Sequence, residues 1–247
     1  MKTNKFLYFY CFFVVLIIVA SQHSRAAEEN KAEQASIRLN SDNSVLNGKT
    51  GLFEHCGNAM LTQLNITITA KCITGKRRED GSYDFIAAIG ELQHPAMLIQ
   101  NDLDKKEKLV VEAGIIEYKV QQKHFSVKSH ANLELSNSVK DSLKISANSI
   151  EIDNRVEQSR IISALGSPLK MELKKLGNTD LEADSKQLYY NTGTSELKLS
   201  QDVIANLELG QISAGIFEYN GKTKESSFTR SSEEQIEIIQ NKKKQPK

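Results

Sequence analysis

LKISANSIEID, residues 143–153, alternates apolar and polar positions and then breaks its own rule. Leu143, Ile145 and Ala147 share one face of an extended chain, and Lys144, Ser146 and Asn148 share the other. Period-2 alternation marks a strand with one face buried. After Ala147 the parity flips, and Ile150 and Ile152 form the next apolar pair. A one-residue slip sends every later side chain to the opposite face. A strand that keeps its apolar residues on one interior must therefore turn a tight corner or take a bulge between Ala147 and Ile150. A small residue at that point lets neighbouring backbones approach closely.

Four other stretches follow the same rule: ITITAKCI (66–73), VVEAGIIEY (110–118), EADSKQLYY (182–190) and QISAGIFEY (211–219). Their parity flips run from Ala70 to Ile73, Ala113 to Ile116, Ser185 to Leu188 and Ala214 to Phe217. Tyr118, Tyr190 and Tyr219 each stand five residues after the small one. A longer period overlies this one. Pro95 and Pro168 lie 73 residues apart, Tyr118 and Tyr190 lie 72 apart, and Ala70 and Ala147 lie 77 apart. The chain thus holds one two-corner unit, a second like it and part of a third. Repeats of this kind stack and bury a continuous core.

Helix signals are scarce. AEENKAEQA (27–35) has no apolar face and reads as part of a linker over 27–36, and DLDKKEKL (102–109) reads as a charged connection. The expected fold is all-β: an extended roll of many short strands with an apolar interior and a polar outside. Neither the first strand, SIRLNSD (36–42), nor the last, EQIEIIQ (234–240), contains proline. Open strand edges of this kind permit end-to-end joining of copies or partners by strand addition.

The first 26 residues read as a secretory signal peptide: a basic MKTNK, an apolar run over 6–20, and an S-x-A site ending at Ala26. An uncleaved anchor is the alternative, since Arg25 sits awkwardly beside the site. Loss of 1–26 removes Lys2, Lys5 and Arg25 and no acid, so the formal charge falls from +1 to −2. With no basic stripe interleaved with aromatics, nucleic acid is not an expected partner. The closing KKKQPK reads as a solvated tail. Cys56 and Cys72 remain after export. A symmetric hairpin turning near Leu64 would place them opposite each other, as a disulfide or as two buried thiols. The pair with no further ligands nearby is not a zinc pattern.

Enzyme signatures are absent from the sequence: there is no H-E-x-x-H, no G-x-S-x-G and no glycine-rich phosphate loop. His55, His94, His124 and His130 are scattered, although His124 and His130 could share a strand face. Asp102 and Asp104 fall in the charged connection. No catalytic residue, metal ligand or cofactor is expected.

For any single interior residue a plain hydrophobic core is the simpler reading. The functional reading is a slot for acyl chains. Small corner residues leave space, Met97, Leu98 and Met171 follow the two prolines, and methionine adapts to irregular apolar ligands. The tyrosines at 118, 190 and 219 offer an apolar body with a polar tip.

The segment from Ile37 to Ala70 resembles the opening of the OstA-like domain of the LptA family of periplasmic lipopolysaccharide-transport proteins. The matching residues are Ile37, Leu39, Ser41 and Asp42, then Gly57, Asn58 and Ala59, then Ile66, Ile68 and Ala70. Tyr190 to Tyr219 resembles the closing part. The resemblance covers about 37–228, departs by an extra two-corner unit, and leaves 229–247 as the last edge strand and a lysine-rich tail. It implies a twisted β-jellyroll with a hydrophobic groove, exported to the periplasm of a Gram-negative cell. The jellyroll would join head to tail with copies of itself, with an LptC-like inner-membrane protein and with an LptD-like outer-membrane protein. Lipopolysaccharide would pass along the assembly with its acyl chains inside, without cofactor or catalysis. Groove-lining positions of the family fall on Ile37 and Leu39 at the first edge, Leu98 and Met171 after the prolines, and Tyr118 and Tyr190 at the tyrosine position. An anchored LptC-like adaptor and a solid structural β-solenoid are the alternatives.

Overall fold

A computed structural model describes residues 37–155, 159–207, 210–230 and 236–240. The expected signal peptide over 1–26, the expected linker over 27–36 and the lysine-rich tail from 241 lie outside the described residues.

Sixteen strands make up the described chain: β1 (Arg38–Asn40), β2 (Asn43–Leu46), β3 (Leu52–Gln63), β4 (Ile66–Arg77), β5 (Tyr83–Ile89), β6 (Ala96–Asp102), β7 (Glu107–Ala113) and β8 (Ile115–Lys119), then β9 (His124–Asn137), β10 (Ser142–Asp153), β11 (Ile161–Lys175), β12 (Asn178–Asn191), β13 (Glu196–Leu207), β14 (Gly210–Asn220), β15 (Ser226–Thr229) and β16 (Glu237–Gln240). All pairings are antiparallel and form one continuous hydrogen-bonded sheet. That sheet is folded along a line of corners into two facing leaves. β4 shows how: its first half pairs β6 and its second half pairs β5. β9 does the same with β7 and β8. β5 with β6, and β7 with β8, are therefore the two halves of single bent strands, and so are β2 with β1 and β15 with β16. The all-β jellyroll expectation is met: twelve bent strands run up and down across the fold line.

The corners obey two alternating rules. In every second bent strand a small residue precedes a short register shift: Ala70 in β4, Ala113 at the end of β7, Ala147 in β10, Ser185 in β12 and Ala214 in β14. These are the five parity flips of the sequence. The intervening strands turn differently. β3, β9 and β13 use consecutive left-handed pairs, Gly57–Asn58, Ser129–His130 and Gln201–Asp202, which stand 72 residues apart. Between them, the corner from β5 to β6 ends at Pro95 and that of β11 contains Pro168, preceded by a cis peptide bond. The repeating unit is thus four bent strands. Gly57 is required twice over, by its φ of +77° and because a Cβ there would meet the Asp42 carboxylate at 2.5 Å.

The alanines at the corners form a ladder. Ala59 faces Ala70, Ala96 faces Ala113 and Ala131 faces Ala147, and the row continues through Leu169–Ser185 and Val203–Ala214. The leaves converge at the fold line, and small side chains occupy most of that row, with Leu169 and Val203 as the larger members where the strand opposite carries Ser185 and Ala214. One step away the leaves diverge and the side chains grow. Larger apolar residues such as Phe125, Phe217, Ile150 and Leu109 are almost wholly buried there. Outward positions such as Lys144, Glu182 and Lys198 are exposed.

Candidate functional site

The interior between the leaves is organised as rows that run from one sheet edge to the other. In the first leaf the register links Leu39 to Leu61, Ile68, Leu98, Val111, Leu133, Ile145, Met171, Ala183, Ala205, Ile212 and finally Ile238. All twelve positions are apolar, and no charge interrupts them. The second leaf carries the parallel row Phe53, Gly75, Ile86, Tyr118, Phe125, Ile152, Ile162, Tyr190, Leu197 and Tyr219. Gly75 is needed there because Phe53 lies across it, its ring 2.5 Å from where a Cβ would stand.

Leu39, Leu98 and Met171 therefore share one row, and Tyr118 and Tyr190 share the facing one. Leu98 and Met171 are buried, Leu39 is half-buried at the first edge, and Ile37 lies just before β1. Met97 departs from the expectation. Strand alternation turns it to the outer face, opposite Thr69 and Glu112, while Leu98 points in.

The tyrosines lie on the side away from the corners, where the strand ends of the two leaves meet. Tyr118 stacks on Phe125 with centroids 4.3 Å apart, and burial pushes its hydroxyl pKa up. Burial also raises Tyr190, helped by the negative charges of Glu107 and Asp141.

This seam holds groups that the sequence did not single out. Arg160 is 4% exposed, and its Nη1 donates to Glu107 Oε2 at 2.6 Å. Its backbone N–H donates to Thr192 Oγ1 at 2.8 Å. The pair ties the first leaf at β7 to the second at the entrance of β11. DLDKKEKL is accordingly less of a connection than expected: the turn covers 103–106, and Glu107 already begins β7. A second clasp joins β14 to β12. Tyr219 Oη donates to Asp180 Oδ2 at 2.5 Å, and Lys224 Nζ approaches the same oxygen at 2.7 Å. Burial alone would raise the Asp180 pKa, but the hydrogen bonds from Lys224 and Tyr219 outweigh it and hold the carboxyl below its usual range. Arg160 and Glu107 are 53 residues apart, so no local pattern pointed to their pairing.

Cys56 and Cys72 are cross-strand partners in the β3–β4 register and are disulfide-bonded, with Cα atoms 4.1 Å apart. Glu54 lies close by, but sulfurs bonded to each other are not free thiolate ligands. His124 and His130 do not share a strand face, because the Ser129–His130 corner intervenes and leaves His124 alone on the second leaf. His124 Nε2 sits 2.7 Å from Glu151, which also accepts from Ser126 Oγ at 2.9 Å. The hydroxyl there faces a carboxylate rather than the imidazole, which is not the arrangement of an activated nucleophile.

No family model and no curated protein matches the sequence. Among solved structures, the fold is similar to that of LptH from Pseudomonas aeruginosa, described as the LptA-homologous periplasmic component of the conserved lipopolysaccharide transport device. The two chains are 17% identical with a TM-score of 0.49, and the match covers 58% of this chain and 98% of that one.

Proposed function

We propose that this chain is a periplasmic bridge protein that carries lipopolysaccharide from the inner to the outer membrane. Its acyl chains would travel between the two leaves. The observation that supports this best is the unbroken apolar row from Leu39 to Ile238. An ordinary core needs apolar residues only at its centre. Here the row reaches both sheet edges, where Val45 and Leu46 at one end and Ile238 and Ile239 at the other remain exposed. A lipid crossing an aqueous gap exposes methylenes at about 0.8 kcal/mol each, and a trough open at both ends removes that cost without a tight binding site. The resemblance of the segments 37–70 and 190–219 to the OstA-like domain points the same way. On this reading β1 and β2 at one end, and β15 and β16 at the other, join copies head to tail by strand addition. The terminal copies meet an LptC-like inner-membrane protein and an LptD-like outer-membrane protein. Ile37, Leu39, Leu98, Tyr118, Met171 and Tyr190 line the path, and the subunit catalyses nothing itself.

A second reading rests on a specific observation. The space between the leaves is filled by side chains, with Ile73, Leu109, Ile150 and Ile162 fully buried. That suits a solid structural β-solenoid, and transport requires the leaves to part.

A photo-cross-linking residue at Leu98, in living cells of a lipopolysaccharide-making host, separates the two. A lipopolysaccharide adduct at Leu98 that is absent from an outward control at Lys144 is the expected result. No adduct at Leu98, Met171 or Tyr190 would make the interior an ordinary core and end the transport reading.

A further inference from the structure

The first-leaf hairpins β3–β4, β6–β7, β9–β10 and β11–β12 all turn on the side away from the corners. Each turn exposes one aliphatic side chain: Leu64, Leu103, Val139 and Leu176, between 55% and 84% exposed. The second leaf differs. Its turns over 47–51, 78–82, 192–195 and 221–225 contain no large apolar residue, and 120–123 holds only the half-buried Val120. A single exposed leucine is ordinary. One at each of four turns on one lip, and none on five turns of the other, is a pattern. Two of the four are also costly for the backbone. Leu64 and Leu176 hold φ angles of +49° and +52°, where asparagine or glycine sits more easily.

The tips are held in place. Asp141 Oδ1 accepts from the Leu176 N–H at 2.9 Å, and the Gly177 N–H donates to the Lys140 carbonyl at 2.9 Å, so the turns of Val139 and Leu176 are tied side by side. Neighbouring tips stand two strands apart, about 10 Å. Sheet twist of about 20–25° per strand turns each tip from the last. Leu103, Val139 and Leu176 thus form a convex group centred on Val139. A folded partner covers a contiguous apolar patch, whereas a fluid acyl boundary can close around separate protruding side chains.

Charge points to the same occupant. Exposed Lys106 and Lys140 flank the tips, while Asp102 is matched by Lys105 at 3.9 Å and Asp141 by Lys175 at 3.4 Å, leaving Asp104 as the other acid of these turns. The chain also leaves the sheet on this lip. Gln240 at the end of β16 stands opposite Gly210, where β14 begins on the side away from the corners. The sequence beyond it carries Lys242, Lys243, Lys244 and Lys247. Shallow apolar insertion and a polybasic segment together hold a protein on an anionic membrane where one alone is weak.

We propose that the first-leaf lip is a membrane-contact edge: Leu103, Val139 and Leu176 enter the surface of a bilayer that carries anionic head groups, and the lysine-rich segment from 241 binds those head groups beside them. The inference concerns the outside of the roll and stands apart from what the interior carries. Bound this way, the roll lies along the bilayer with both sheet edges left open for strand addition.

The chain contains no tryptophan, so Val139→Trp, Leu176→Trp and, on a second-leaf turn, Thr194→Trp each supply a single reporter. Protein lacking residues 1–26 is mixed with vesicles of phosphatidylcholine alone or of phosphatidylcholine with phosphatidylglycerol. On the anionic vesicles the first two reporters should shift to the blue, and Thr194→Trp should not. Replacing Leu103, Val139 and Leu176 together by serine, or Lys242, Lys243 and Lys244 together by glutamine, should weaken co-sedimentation with those vesicles at least about tenfold. Should the serine variant fold poorly, the tryptophan shifts alone decide. No binding to either vesicle, or equal shifts at all three reporters, would overturn the proposal. Binding that needs the lysines but leaves Val139→Trp and Leu176→Trp unshifted would reduce it to adsorption of the tail and overturn the lip. Equal shifts on phosphatidylcholine alone would overturn the anionic assignment. A blue shift that grows with protein concentration without vesicles would make the lip a contact between copies instead.

Discussion

Replacing Ala131 by leucine forces three more carbons into the line where the two leaves converge. Ala131 is fully buried and lies in register with Ala147, itself 8% exposed, on the next strand. If the space could expand, three buried methylene equivalents would contribute roughly 2.4 kcal/mol at about 0.8 each. It cannot expand without prising the leaves apart, and overpacking of a close-packed interior costs about 1–3 kcal/mol. The expected net effect is a loss of about 2 kcal/mol, which in urea is a midpoint shift of about 0.7–1 M for a slope of about 2–3 kcal/mol/M. Ala70 occupies the same ladder but is half-buried towards the first edge. Ala70→Leu should therefore cost less than half as much. Equilibrium urea unfolding of both variants, with the disulfide kept intact, makes the comparison. An Ala131→Leu midpoint equal to or above wild type, with unchanged slope, would refute the idea that convergence of the leaves selects small residues there.

Three further outcomes are expected. Leu98→Ala, at a position 1% exposed, should destabilise by about 2–5 kcal/mol through cavity formation, while Lys144→Ala on the outer face should stay within about 0.5 kcal/mol; thermal unfolding of the two separates inner from outer positions. Cys56→Ser with Cys72→Ser opens a loop of sequence separation 16 and should cost up to about 3 kcal/mol, which non-reducing against reducing denaturation of the wild type should reproduce. For pH, the lowered Asp180 and Asp141 carboxyls contribute stability that is complete above the ordinary aspartate range and is lost as pH falls through their depressed values. The raised Tyr118, Tyr190 and Tyr219 hydroxyls contribute stability that is complete below pH 10 and is lost as pH rises through their elevated values. A stability profile with seam segments exchanging first at both extremes is the expected result, and a profile flat below pH 4 would contradict the acid arm.

The fold was legible in the sequence because its rule is local. A parity flip after Ala70, Ala113, Ala147, Ser185 or Ala214 is visible within ten residues, and each is a corner in the structure. The intervening corners were harder to read. Gly57–Asn58, Ser129–His130 and Gln201–Asp202 share a backbone conformation but hardly any chemistry, so three dissimilar pairs conceal one device. Met97 and Leu98 both follow Pro95 closely, and only strand parity separates the outward Met97 from the inward Leu98. The seam was illegible for a different reason. Glu107 and Arg160, or Asp180 and Tyr219, meet only because separate bent strands end at the same line, and a charged turn next to Glu107 disguised it as solvated. Arg160 preceding an apolar strand gives no hint that it is buried.

The spacing of the left-handed corners at residues 57, 129 and 201 makes the molecule a ruler. Each 72-residue unit adds four strands, and neighbouring strands lie about 4.8 Å apart, so one unit extends the roll by roughly 19 Å. Because every unit returns the chain to the same leaf and the same parity, joining Lys128 directly to Gln201 would leave every row in phase. The length of such a roll is thus set by whole-number copying of a unit rather than by gradual change, and a shorter or longer molecule could be made without redesigning a single contact row.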